Sequence, residues 1–404
     1  MRKAHSLIDK VFALNNLHTA WLRVRRNRGA AGIDRVTIEM FEQDLDHHLF
    51  AIQRQLRERR YPPSPARRTY IPKAGQPGKL RPLGIPTVKD RIVQQAILQV
   101  VEPLFDSTLS PRCFGYRKGR NAHDALTTLM HDVRDGYRYV LDADIQTFFD
   151  SIVHDVVMSR VRARIADGRV LDLIEAFLKA GVMEDGVVCT PTAGTPQGGV
   201  ISPWLSNLVL DDLDKAIEQA GFRHVRYADD FVVLCKSKED AREVLNLVSE
   251  VLGSLQLQLH ESKTRISNVW RGFDFLGFRI KANHVSVSPK AIDRFKDRVR
   301  HVTRRKQGRN VVAVIYRLRA ILRGWAGYFG PAEATRLFTW LDSWIRMRVR
   351  SFRFKQKRRH DNHRLPTRRL FKWGLLSLHQ CRPARRFPTL VGRGRMRARP
   401  GSLQ

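Results

Sequence analysis

Two adjacent carboxylates set between apolar, β-branched runs constrain this chain more than any other feature: His224-Val225-Arg226-Tyr227-Ala228-Asp229-Asp230-Phe231-Val232-Val233-Leu234. The pattern reads as strand, tight turn, strand. An Ala-Asp-Asp tip cannot bury its charge, so the carboxylates project at the mouth of a hairpin. Side by side they repel, unless a divalent cation sits between them and a further acid. Taken alone, an acidic hairpin tip is most often a solvated turn. The rest of the chain reverses that balance.

The further acid lies in Tyr137-Arg138-Tyr139-Val140-Leu141-Asp142-Ala143-Asp144-Ile145-Gln146-Thr147-Phe148-Phe149-Asp150. Alternation of Tyr137, Tyr139 and Leu141 fits a half-buried strand, with Asp144 near its end. Asp142 and Asp150 are rivals that spacing alone does not exclude. Three acids on neighbouring strands can hold two Mg²⁺ roughly 3.5–4 Å apart, the arrangement that phosphoryl transfer to a 3′-hydroxyl requires.

The chain has 404 residues, 43% of them hydrophobic, and a formal charge of +34. That is a globular composition, long enough for two to four structural units. Residues 281–404 hold +28 of the charge, with 33 Lys and Arg against 5 Asp and Glu. So basic a stretch calls for a polyanion. A merely solvated surface or a membrane-surface helix would leave the carboxylates unexplained. Apolar runs of transmembrane length and a signal-peptide core are missing from the pattern, which predicts a soluble, cytoplasmic protein with no membrane partner. Cys113, Cys189, Cys235 and Cys381 are scattered, without disulfide or zinc spacing.

In chain order, helices are expected at about 7–26 and 38–58, joined by the Gly29–Asp34 loop, whose glycines allow close backbone approach. Residues 68–73 and 79–86 read as a proline-rich basic hairpin able to clamp a triphosphate. A helix from 88 should end or kink at Pro103. Phe114–Arg120 is an aromatic, basic loop able to meet a nucleic-acid backbone. Phe149 could lie under an incoming sugar, while Phe148 is better read as core. The glycine-rich Gly194–Pro203 turn opens a helix and offers Gln197 to a base or sugar. Lys263 can serve as cation or proton donor near a leaving pyrophosphate. Phe273–Phe278 reads as one short strand. From 288 the pattern turns helical and basic (289–306, 310–328, 332–358), with Arg323, Arg346, Arg348 and Arg350 as candidate RNA contacts. Residues 366–404 read as a flexible basic tail.

With Tyr227-Ala228-Asp229-Asp230, Thr195-Pro196-Gln197-Gly198-Gly199 and Phe275-Leu276-Gly277-Phe278 in this order, the chain resembles the reverse transcriptase–maturases encoded by group II introns. The Gly29–Asp34 loop and the Arg81–Pro86 block favour that family over retroviral enzymes. Leu322-Arg323-Gly324-Trp325 and Leu341-Asp342-Ser343-Trp344 look like its thumb or maturase region.

The resemblance implies an α+β right-hand polymerase: an N-terminal extension and fingers over 1–135, palm over 136–280, helical thumb over 281–365, then the tail. It implies that Asp144, Asp229 and Asp230 are the metal-binding catalytic triad. Lys73 and Arg81 would hold the triphosphate, Phe149 would be the sugar gate, and Gln197 and Lys263 would contact the nucleotide. The implied partners are intron RNA, an RNA template with DNA primer, dNTPs and target DNA, with Mg²⁺ as cofactor. Many relatives carry a His- and Cys-rich endonuclease; only Cys381 lies in this tail, so target cleavage is not expected of this chain. Two other readings stand beside polymerisation: an RNA-binding splicing factor without chemistry, and a related enzyme recruited to host defence or DNA repair.

Overall fold

The computed structural model describes residues 3–72, 78–189, 193–195, 197–355 and 361–387. The chain divides into two compact units, one of residues 1–129 and 139–266, the other of 130–138 and 267–404.

The first unit opens with α1 (Ile8–Phe12) and α2 (Leu14–Asn27), broken at Ala13, whose ψ of 130° is extended. Asn16 holds the break, its side-chain amide donating to the carbonyls of Val11 and Ala96. The second expected helix is likewise two pieces, α3 (Ile38–Glu42), capped by Thr37, and α4 (Leu45–Arg57). β1 (Ala66–Pro72) and β2 (Leu80–Ile85) pair antiparallel in the expected hairpin, Ile71 opposite Arg81. α5 (Val88–Asp106) does not end at Pro103 but continues three residues beyond it. The close approach allowed by the Gly29–Asp34 loop is to α5 itself: a Cβ on Gly32 would lie 2.6 Å from the Cα of Thr87.

α6 (Ala122–Arg134), β3 (Tyr139–Asp144), α7 (Phe148–Ser151), α8 (His154–Arg162) and α9 (Gly168–Lys179) follow. β4 (Val182–Glu184) and β5 (Val187–Cys189) extend the first hairpin into a sheet of order β2-β1-β4-β5, leaving the Pro82-bearing β2 at an edge. α10 (Ser202–Gln219) leads to β6 (Arg223–Tyr227) and β7 (Asp230–Cys235). α11 (Lys238–Ser254) starts at a capping box of Ser237 and Asp240, ahead of β8 (Arg265–Asn268). The second sheet has the order β6-β7-β3-β8. Leu141, Ala143, Phe231 and Val233 of this sheet share one core with Leu205 and Val209 of α10 and Val244 and Val248 of α11. Each of these buried side chains other than Ala143 contributes on the order of 1.5–3 kcal/mol, and together they fix which face of β3 and β7 turns inward.

In the second unit, β9 (Phe273–Phe275), β10 (Phe278–Ile280) and β11 (Val285–Val287) form a sheet of order β11-β10-β9. The single strand expected over 273–278 is therefore a hairpin. Leu276 (φ +50°) and Gly277 (φ +82°) make its two-residue turn, a geometry that needs positive φ at both positions. α12 (Pro289–Val302), capped by Ser288, α13 (Val311–Phe329) and α14 (Thr335–Phe354) follow. Phe295 stacks on Trp325 at 4.3 Å, and Phe338 and Phe329 adjoin the same indole. α15 (Asp361–Arg364) and α16 (Thr367–Lys372) come next. Residues 366–387 are packed where a flexible tail was expected. Leu370, Leu375 and Leu378 are buried, and the Leu378 amide donates to Asp342. Their spacing is irregular, so no helical period announced them.

Candidate active site

β3 and β7 run antiparallel with Asp144 directly opposite Asp230. Directly paired residues send their side chains to the same side of a sheet, and Asp142, two residues back, shares that side. Tyr227 pairs with Asp230, leaving Ala228 and Asp229 as a two-residue turn. Ala228 has φ +62°, a left-handed conformation that costs a residue with a Cβ roughly 1–2 kcal/mol.

Buried contacts hold that turn in place. The Arg226 guanidinium, fully buried, donates from Nε and Nη2 to Asp214 of α10, and from Nη1 to Asn207 Oδ1 at 2.9 Å and the Ala228 carbonyl at 3.0 Å. The His224 ring also meets Asp214, with Nε2 3.1 Å from Oδ1. Asn207 donates to the carbonyl of Gly115, where an added Cβ would stand 2.2 Å from the Ala228 nitrogen. Arg226, Asp214, Asn207 and Gly115 were not singled out from sequence. The available signal was His224 and Arg226 alternating with apolar residues in a strand buried on both faces, which demands an internal counter-charge.

The tip is strongly acidic. Asp230 is open to solvent at the strand end yet closely ringed by protein. That desolvation, then the charges of Asp142, Asp229 and Asp144, push its carboxyl up to about 7. Asp229 is raised too, first by burial and then by Asp144, against its own backbone amide and Arg81. Lys263 Nζ donates to Asp144 Oδ2 at 2.5 Å, and Arg265 stands 3.6 Å from Asp142. Among the described residues, no three Asp, Glu, His or Cys side chains already stand in ion-ligating geometry. With Lys263 on Asp144, that carboxylate is neutralised by an ammonium.

The other expected nucleotide contacts divide. Phe149 is half-buried and edge-on to the buried Phe148, ring centroids 5.3 Å apart. Gln197 is half-buried, and its carbonyl accepts from the Gly84 amide. The next residue, Gly198 (φ +114°), passes so near that a Cβ would lie 2.5 Å from the Gly84 oxygen. Gln94, another residue not anticipated, accepts from the amides of Val200 and Ile201 and so fixes the glycine-rich turn. Arg81 is exposed on β2 and acts electrostatically on Asp229. Lys73 lies outside the described residues. Asp150, the rival acid, sits beyond the strand on α7, with its pKa raised by burial.

One arginine of the Phe114–Arg120 loop and one of the four candidate RNA contacts do structural work instead. Arg117 is buried and donates to Asp106 and the carbonyls of Ser110 and Cys113. Arg350 is buried, 8% exposed, and donates to the Leu365 carbonyl and Thr367, so it cannot meet RNA in this arrangement. Arg348 is half-buried and donates to Thr303, whereas Arg323 is exposed and Arg346 partly so.

Residues 71–280 match the family model described as reverse transcriptase (RNA-dependent DNA polymerase), which takes in the carboxylate cluster and every strand that carries it. The chain belongs to the reverse transcriptase family. Residues 292–372 match a second model, the group II intron maturase-specific domain, so this is the group II intron reverse transcriptase/maturase branch. The α+β right-hand polymerase fold and the helical thumb/maturase region accord with that membership. Protein YkfC of Escherichia coli K12 is 35% identical over 62% of this chain and 75% of its own length. The group II intron-encoded protein LtrA of Lactococcus lactis is 28% identical over 65% of this chain; the chain spans 54% of LtrA. A solved telomerase from Candida albicans aligns with a TM-score of 0.46 at 12% identity, over 76% of this chain and 60% of that one. Among the described residues no helix is long and apolar enough to cross a membrane.

Proposed function

We propose that this reverse transcriptase copies RNA into DNA from a primer 3′-hydroxyl, with Asp144, Asp229 and Asp230 as its catalytic carboxylates. The observation that carries the reading is the β3–β7 register, which sets Asp144 opposite Asp230 one residue from the Asp229 tip. A cluster of carboxylates in which burial, and then the neighbouring acids, raise Asp230 has the donor chemistry of a divalent-cation site, and its all-oxygen character fits Mg²⁺. A bound pair of such ions supplies hydroxyl activation and neutralisation of the leaving pyrophosphate. Asp229 and Asp230 would hold them together with Asp144, which must exchange Lys263 for metal.

Around this centre, Arg81, and by resemblance Lys73, hold the dNTP triphosphate, and the half-buried Phe149 ring closes the space where a 2′-hydroxyl would fall. Gln197 contacts the nucleotide from a turn fixed by Gln94. The basic helical unit holds intron RNA for splicing and for mobility into target DNA, with exposed Arg323 and partly exposed Arg346 among its contacts. Its maturase-domain match supports that second role. In the test, Asp229→Ala abolishes DNA synthesis on a primed RNA template while RNA affinity at moderate salt is kept. Undiminished synthesis refutes the carboxylate assignment. Splicing promoted equally by wild type and Asp229→Ala separates the maturase role from polymerisation; no promotion by wild type removes that role.

A further inference from the structure

Within the second unit, a cavity of about 450 Å³ opens between the start of α13, the end of α14 and the residue after α16. That volume lies within the range of small-ligand sites. Arg309, Arg353 and Lys355 line it, with Trp373 and the buried Phe352 as its aromatic walls. Among the described residues that line it, none is acidic. Arg309 and Arg353 are exposed, while Lys355 is anchored by a bond from Nζ to the Arg305 carbonyl at 2.6 Å. The Arg369 guanidinium stands 5.3 Å from the Trp373 ring centroid, adding a further cation to the aromatic wall.

Three cations and an indole around one cavity, with no carboxylate to neutralise them, select a ligand that is both anionic and aromatic. A metal ion would be repelled, an apolar molecule would leave the cations unused, and an inorganic anion would leave the indole unused. A nucleotide satisfies both walls, its phosphate on the arginines and its base on Trp373. From Val312 at the cavity's edge, the exposed face of α13 continues to Tyr316, and Arg319 lies over the tyrosine ring at 5.9 Å. That gives a following base a second platform. From this cavity and its flank we infer that the second unit captures an unpaired nucleotide of a bound RNA strand. The inference rests on the RNA-binding reading of this unit and names the place where a single-stranded segment is gripped.

The test uses the full chain, a short single-stranded RNA carrying one 5-iodouridine, and adenosine 5′-monophosphate as the free-nucleotide probe. Irradiation should cross-link the RNA to Trp373 or Tyr316, read by mass spectrometry. Trp373→Ala should weaken the single strand roughly five- to a hundredfold, the range of one lost base stack, and Trp373→Phe should restore most of it. Arg309→Glu, an exposed loop change that cannot unfold the unit, should weaken binding and lower the salt slope by about 0.7 or more. Cross-links elsewhere, with Trp373→Ala and Arg309→Glu both binding as wild type does, overturn the pocket while leaving RNA binding intact. Failure of wild type to bind any RNA overturns the underlying reading instead. Adenosine 5′-monophosphate binding as tightly as the RNA would assign the pocket to a free nucleotide and refute the strand-capture role.

Discussion

Lys263 Nζ stands 2.5 Å from Asp144 Oδ2, so a lysine brought from beyond α11 occupies the carboxylate at the end of β3. On the proposed two-metal reading, metal at Asp144 would displace it, and the freed ammonium would then be available to a departing pyrophosphate. Lys263→Ala should therefore lower kcat about 10²-fold, the contribution of a positioned proton donor, while reducing the Mg²⁺ concentration needed for half-maximal rate. Steady-state titration of Mg²⁺ measures both; a half-saturation that rises would show that the lysine assists the metal rather than competing with it.

The Asp230 carboxyl, pushed up to about 7 by burial and by Asp142, Asp229 and Asp144, makes a second prediction. Unfolded, the same group titrates near 3.9. The folded state therefore holds a proton that the unfolded chain has released, and stability falls as pH rises from about 4 through about 7. Without divalent ions, wild-type Tm should decline across that window. Asp230→Asn should flatten the decline and melt higher at pH 7.5 while losing polymerisation. Parallel melting profiles would show that the carboxylates do not strain one another.

Asp214 works in the opposite sense. Burial alone would raise its carboxyl, but Arg226 and the bonds from His224 and Arg226 hold it well below the usual carboxylate range. Its contribution is present above about pH 4 and is lost only as pH falls through the depressed folded value. At pH 7, Asp214→Asn leaves the buried Arg226 charge uncompensated. A loss of about 3–5 kcal/mol in urea unfolding is expected, with a steeper loss of activity because Arg226 no longer fixes the Ala228 carbonyl. A change below 1 kcal/mol would mean that the network is dispensable.

Gly115→Ala should inactivate without unfolding. Its Cβ would stand 2.2 Å from the Ala228 nitrogen, a backbone atom that can move only by shifting the acidic tip. DNA synthesis should fall at least tenfold, with circular dichroism unchanged and RNA affinity kept. Full activity would show that the tip tolerates displacement.

The hairpin was legible in the sequence because its alternation and its turn are local. Spacing leaves Asp142 and Asp150 as rivals and the resemblance points to Asp144, which pairs with Asp230, while Asp142 shares the same side of the sheet. What lay beyond reading was set by distant partners. Ala13 breaks a continuous helical pattern because Asn16 is held by Ala96 of α5. Arg226 looks like a surface residue until Asp214 arrives from α10. Arg350 looks like its exposed neighbours on a basic helix until Leu365 and Thr367 cover it. Residues 366–387 look too irregular and too basic to fold, yet three leucines suffice to seat them.

The register that sets Asp144 against Asp230 has a consequence for how such an enzyme fails. In a two-residue pleat, moving β7 by a single position sends Asp230 to the side that Leu141, Ala143, Phe231 and Val233 bury, placing an unpaired carboxylate in the core. A one-residue insertion or deletion between Asp230 and Cys235 would thus cost stability and activity together. The core that holds this register thereby also guards the chemistry, since a slipped strand is lost to folding before it is lost to catalysis.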